Sequence, residues 1–400
     1  MISPLRFLKV DSAHPHEYLV RKQKADESRL RALGYEEYYR WVMGLRLGLS
    51  DYLTLPLNEV GWTAREFSAK DPILLSLLAK EGHINGVGAA ARARLKLKHF
   101  LSLSLSDTIA LRWCRGYELQ RRYWLITRYI ETFQPDVLFI REPCNIDGEF
   151  FDQFRDRCLL VSFIGCNTNH PQHWNAHRND VIFTLTDEYI NFYKAQGIET
   201  HRFEYGVDAR IHEELKGWPK KYGCTFVGYL GQSHQSRKTE FLESLARRAD
   251  FRWWGVKGAD LHKYPALERT WQGEAAGIDM LRIYRQSKIV LNDYADFHLG
   301  AGVNMRSTEV LGVGTCLLAR SSPNLARLEE LQAVATFKDV DDCVAKIQQL
   351  LSDDGAREKI AAKGLEVALR DFNYRDIVRR MMEVIAEAHQ RKRPRLRGWR

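Results

Sequence analysis

The stretch KIVLNDYADFHLGAGVNMRSTEVLGVGTCLLA, residues 288–319, decides the fold. It opens on an apolar run, KIVLN, and passes through a loop holding Gly300 and Gly302. It then enters a segment of helical spacing that Asn304 can cap, and closes on a second apolar run, TCLLA. Strand, glycine loop, helix, strand is the unit of a parallel sheet, because only a long crossover lets the next strand run in the same direction.

The same rhythm extends to both sides. Towards the C-terminus come VATF (334–337) and helical stretches after residues 340, 355 and 373; towards the N-terminus come FRWWGV (251–256), a helix over about 236–249 and GCTFVGYL (223–230). KGWPKKYG (216–223) combines glycine, proline and lysine, as linkers do. Before it the alternation starts again with LRFLKV (5–10), a helical stretch over 18–49, a helix from Ser106 to Phe133, VLFI (137–140), LLVSFIG (159–165), DVIFTLT (180–186) and THRFEYGVD (200–208). Continuous apolar strands of this kind are buried on both faces. The expectation is an α/β protein with two Rossmann-like parallel-sheet domains facing a cleft: 1–210, 211–375, and a C-terminal helix and basic tail over 376–400.

Composition supports this and excludes other classes. The chain has 400 residues, 45% hydrophobic and 28% charged, values of a globular protein with sizeable cores and not of a disordered or fibrous one. No apolar window is long enough to span a bilayer, and MISPLRFLKV lacks the order of a signal peptide. Seven scattered cysteines with no CxxC pair suit buried thiols in a reducing cytoplasm. The net charge of +9 collects partly in the tail RKRPRLRGWR (391–400), which could rest on anionic headgroups at the inner face of a membrane or stand loose in solvent. No nucleic-acid-binding signature accompanies it. GVGAAA (86–91) has the letters of a dinucleotide fingerprint but no strand before it, and is discounted.

Two constellations could hold an anion. In the first, backbone N–H groups at a helix start near Gly302 and Asn304 can take a diphosphate, Arg306 adds a forked cation, and Glu309 can accept both hydroxyls of a ribose. In the second, FVGYLGQSHQSRKTEFLESLA (226–246), a strand ends at Gly228 and a loop brings His234, Arg237 and Lys238 to the next helix, where cations suit a departing diphosphate. The plainer alternative in each case is a glycine turn with solvated charges. First-domain candidates at strand ends are Asp11, His14, Arg141, Glu142, Asp147, Asn167 and His170.

Read in order, the second constellation, RWWG, IYRQSKIVLN, NMRSTEVLGVGTCLLA, NLARLEEL and the segment from KIQQLL to RDIVRRM resemble the CgeB-like glycosyltransferases, near glycosyltransferase family four. The likeness covers about residues 200–385 and is looser before that. It implies a GT-B fold and transfer of a sugar from a nucleotide-sugar donor, held by the second domain, to a saccharide, lipid-linked or protein acceptor on the first. No metal or other cofactor is expected. Glu309 matches the second glutamate of the family's E-x7-E pair, the ribose ligand, while the first position is Ala301. Asn304 and Arg306 match its N-x-R, and Arg237 with Lys238 its phosphate-site cations. A histidine is implied at the end of LLVSFIG, where Gly165, Cys166 and Asn167 stand instead; His170 is the nearest, and with Arg237 is the catalytic candidate. Rival readings are a nucleotide-sugar epimerase and a non-catalytic GT-B interaction protein with a degenerate donor site.

Overall fold

The computed structural model describes residues 3–11, 17–69, 71–80, 123–143, 146, 148–165, 176–230, 236–293 and 303–399. Two sheets form, every pairing in them parallel. The first contains β1 (Arg6–Asp11), β2 (Thr63–Ser68), β3 (Val137–Arg141), β4 (Leu159–Ile164), β5 (Val181–Thr184) and β6 (Glu199–Arg202), in the order β2-β1-β3-β4-β5-β6. The second contains β7 (Tyr222–Val227), β8 (Phe251–Trp254), β9 (Ser287–Asn292), β10 (Cys316–Arg320) and β11 (Ala335–Phe337), in the order β11-β10-β9-β7-β8.

Helices cover both faces of the first sheet, so β3 and β4 are apolar throughout apart from Ser162 and Arg141. Lys9 is the exception in β1. It lies 2% exposed among Phe7, Leu8 and Val10, and its ammonium pairs with Glu66 on β2 and donates to the Ser50 carbonyl. Burial pushes the Glu66 carboxyl up to about 7 even against the pull of Lys9. β2, TAREFS, was not among the strands expected from the sequence. The expected helical stretch over 18–49 is three helices, Glu17–Ala25, Glu27–Ala32 and Tyr35–Gly44. Of the expected helix from Ser106 to Phe133, residues 123–133 are helical and the rest lies outside the described residues.

The sheets are joined by residues 203–221, which carry the helix Ala209–Leu215. After the second sheet the chain crosses back, and the helix Tyr374–Lys392 packs on the first domain. The crossings lie side by side: Val207 N–H donates to the Phe372 carbonyl (2.7 Å), and Tyr374 N–H to the Val207 carbonyl (3.1 Å). Further contacts tie the domains together. Ile278 N–H donates to the Leu45 carbonyl (2.8 Å), and Tyr18 and Lys22 of the helix Glu17–Ala25 meet Asp279. Gly277, at φ 55°, must be glycine, since a Cβ there would strike the Leu45 carbonyl.

The basic tail is docked on the first domain. Lys392 pairs with Asp180 (2.6 Å) and donates to the Cys158 carbonyl (3.1 Å), and Arg391 pairs with Glu199 (2.5 Å). Trp399 donates its indole N–H to the Pro135 carbonyl (3.1 Å) and packs beside Phe154. The tail caps the amino ends of β3, β4 and β5, where acidic side chains and an apolar socket receive it. Among the described residues no helix is long and apolar enough to cross a membrane.

Removing one partner of the buried pair leaves an uncompensated charge. Lys9→Ala is expected to lose about 3–5 kcal/mol, and Lys9→Met with Glu66→Leu much less, read from urea unfolding of the full chain.

Candidate functional site

Each sheet reverses its strand order once, between β1 and β3 in the first and between β7 and β9 in the second. Where the order reverses, successive connections leave to opposite faces and a crevice opens beyond the carboxyl ends of the strands.

At the β7/β9 crevice the side chains are tightly organised. Asn292, the fully buried last residue of β9, donates to Asn304 Oδ1 (3.0 Å) and to Ser307 Oγ (2.8 Å). Asn304 in turn accepts from Ser307 N–H (3.0 Å), capping the helix Met305–Gly312. Arg306 spans the crevice, donating Nη1 to Asn292 Oδ1 (2.9 Å) and Nη2 to the Val227 carbonyl (2.8 Å). The Arg306 side chain also hydrogen-bonds the Tyr284 hydroxyl. Gly228 makes room for this guanidinium, because a Cβ there would lie 2.9 Å from Nη2.

Lys238, 6% exposed on the helix Ser236–Ala246, reaches the same place. Its Nζ lies 5.8 Å from the centre of the Phe226 ring and the Arg306 guanidinium carbon 4.7 Å from it. Two cations distant in sequence thus converge on one aromatic ring at the sheet mouth. Arg237, the preceding residue, is on the exposed side of the helix.

Glu309 lies about one turn along from the cap, in a pocket whose walls include Tyr52, Gly206, Leu281, Met305 and Tyr374. Its carboxylate makes no hydrogen bond among the described residues, and burial pushes it up to about 8 although Arg306 opposes the shift. A carboxylate facing an otherwise largely apolar pocket suits a ligand that brings hydroxyl donors. Tyr52 and Tyr374 stack at 4.9 Å between ring centres; no local sequence pattern marks them, since they come from opposite ends of the chain.

The facing crevice, at β1/β3, holds charges of its own. Arg141 and Asp11, paired residues of adjacent strands, form an ion pair at 2.9 Å. The next residue, Glu142, has a left-handed backbone (φ 57°), and its Oε1 accepts from Gly165 N–H (3.1 Å). A Cβ at Gly165 would lie 2.7 Å from that oxygen, so Glu142 fills the space of the side chain that the family resemblance expects there. Burial raises the proton affinity of Glu142 against the opposing pull of Arg141. The two crevices share a neighbour: Tyr374 has both Glu309 and Arg141 in its electrostatic surroundings.

His170, His234, Gly302 and Ala301 lie outside the described residues, as do Gly300, His14, Asp147, Asn167, Cys166 and GVGAAA. No group of three or more potential metal-ligating side chains lies among the described residues.

Residues 237–383 match a family model described as glycosyl transferase-like. No curated protein matches the chain in sequence. Among solved structures, sucrose-phosphate synthase from Thermosynechococcus elongatus is similar with a TM-score of 0.54 and 10% identity, over 96% of this chain and 100% of that one. A trehalose-6-phosphate synthase is similar with a TM-score of 0.51 and 11% identity, over 95% and 99%. At such identities the likeness is one of fold, and that fold is GT-B.

The folded protein holds the Glu309 proton more tightly than the unfolded chain does. The associated stability is therefore complete below the ordinary carboxyl range and lost as the pH rises through about 8. Glu309→Gln, which cannot ionise, is expected to melt above the wild type at about pH 9 and level with it at about pH 5, in ligand-free thermal unfolding.

Proposed function

We propose that this protein is a glycosyltransferase that moves a sugar from a nucleotide-sugar donor to an acceptor hydroxyl. The observation that carries the reading is the convergence of Lys238 and Arg306 on Phe226 at the β7/β9 crevice, one helix turn from the pocket of Glu309. A nucleoside diphosphate has the matching order of groups: an anion for the cations and the capped helix start, then a ribose diol for the carboxylate. The glycosyl transferase-like family model over 237–383 supports it, and so does the two-domain GT-B fold.

In this reading Lys238, Arg306 and the helix Met305–Gly312 stabilise the charge that develops on the diphosphate as it leaves, and no metal ion is required for that task. Arg237, His234 and Gly302 complete the donor site. Glu309 holds the ribose, which demands its ionised form, so nucleotide binding releases a proton below about pH 8. The acceptor, a saccharide, lipid-linked or protein hydroxyl, enters from the first domain. The finer assignment, a CgeB-like enzyme, rests on motif order in the second half of the chain. The buried thiols Cys158, Cys224, Cys316 and Cys343 are in keeping with a cytoplasmic setting.

Thermal unfolding against UDP, GDP, dTDP, CMP and ADP, with and without EDTA, tests the reading. One nucleotide is expected to raise the midpoint with the logarithm of its concentration, indifferent to EDTA. Glu309→Ala and Lys238→Ala are each expected to weaken that nucleotide by about 10–100-fold, measured by titration calorimetry, with the fold intact by circular dichroism. No shift with any nucleotide at millimolar concentration would sink the reading.

A further inference from the structure

We propose, resting on the glycosyl-transfer reading, that Asn292 is a positioning residue of the donor site: its side-chain amide holds the Arg306 guanidinium and the cap of the helix Met305–Gly312 in one frame, and does so without a charge, so that Arg306 meets the diphosphate as an unpaired cation. Asn292 closes β9 at the β7/β9 reversal and is fully buried, so it acts on a ligand only through the groups it holds.

The polarity of this frame is fixed from both ends. A guanidinium can only donate, so the amide oxygen of Asn292 must face Arg306, whose Nη1 lies 2.9 Å away. The Ser307 backbone N–H can only donate as well, so Asn304 must offer it Oδ1, at 3.0 Å. The amide nitrogen of Asn292 bridges the two, donating to Asn304 Oδ1 (3.0 Å) and Ser307 Oγ (2.8 Å), while Asn304 Nδ2 makes a longer contact with Asn292 Oδ1 (3.4 Å). The chain of contacts needs an acceptor at one corner and a donor at the other, and at this length that is asparagine.

Aspartate has the same shape but lacks the donor, and its charge would pair with Arg306. The adjacent residue carries out that arrangement: Asp293, 3% exposed, meets the Arg320 guanidinium with both oxygens, at 2.6 and 3.1 Å. Two consecutive residues at one strand end thus receive two arginines, one on a carboxylate and the other on an amide. The remaining partners of Arg306, the Val227 carbonyl, the Tyr284 hydroxyl and the Phe226 ring, are uncharged too. A phosphate bound there meets a cation whose charge no described carboxylate has paired, inside a buried polar frame that needs no rearrangement.

The test is titration calorimetry of the full chain with the diphosphate that stabilises it, drawn from UDP, GDP, dTDP and ADP, and with the free nucleoside of the same base. Asn292→Asp is expected to bind the diphosphate about 100-fold more weakly than the wild type, to keep the wild-type affinity for the nucleoside, and to lose most of the salt dependence of diphosphate binding. Asn292→Ala, which leaves Arg306 unpaired but removes the frame, is expected to lose about 10-fold, again on the diphosphate alone. Wild-type diphosphate affinity in either variant overturns the proposal by itself. A loss that is equal for diphosphate and nucleoside, or failure of both variants to fold by circular dichroism, makes Asn292 a purely structural residue and overturns it as well. A wild type that binds no nucleotide, or binds the diphosphate no more tightly than the nucleoside, overturns the proposal together with the glycosyl-transfer reading.

Discussion

The antiphase of the two domains depends on one short piece of backbone pairing, where the chain crosses from the first domain to the second at Val207 and returns at Phe372 to Tyr374. Two covalent connections clasped by hydrogen bonds act as one element, and everything at the cleft floor is built from it. Gly206 admits the clasp, for a Cβ there would lie 2.8 Å from the Phe372 carbonyl. Val207 and Tyr374 then become walls of the Glu309 pocket, and Tyr52 stacks on Tyr374 from the first domain. The depth and shape of that pocket are therefore set by how the domains are joined, as well as by the helix that carries Glu309.

Charge is distributed unequally across the cleft. On the second-domain side Lys238 and Arg306 both lie over the Phe226 ring, and Arg306 donates to the Val227 carbonyl and the Asn292 amide oxygen, which are neutral partners. On the first-domain side cations are cancelled: Arg141 by Asp11, and Arg210, on the connecting helix, by Asp51 and Asp208. Arg306 thus has neutral partners where Arg141 and Arg210 have carboxylates. Such a difference orients a ligand that is charged at one end and hydroxylated at the other, before any specific contact is made.

How far the sequence could be read follows from where each signal is stored. Strands buried on both faces announce themselves as apolar runs, so β3, β4, β9 and β10 were legible. β2 was not, because Arg65 and Glu66 imitate a surface segment; only its partner Lys9, far away in sequence, explains why Glu66 can be buried. Lys238, Arg306 and Glu309 stood out through motif and order, but the convergence of Lys238 and Arg306 on Phe226 is a property of the sheet order and could not be read from spacing. Glu142 was one strand-end carboxylate among several. What separates it is a backbone angle and a missing Cβ at Gly165, neither of which leaves a mark in its own neighbourhood of the sequence. The place of Trp399 was not legible either, because its socket, Phe154 and the Pro135 carbonyl, comes from residues far away in sequence.

That docking makes the first domain discontinuous. Its sheet is finished at Arg202, but the helix and tail that cover its amino-end rim, from Tyr374 to Trp399, come only after the entire second sheet. On the ribosome, where domains fold as they emerge, the first sheet must wait with Cys158, Asp180 and Glu199 uncovered while the second domain is made. The first domain, though made first, is therefore complete only when the end of the chain has been made.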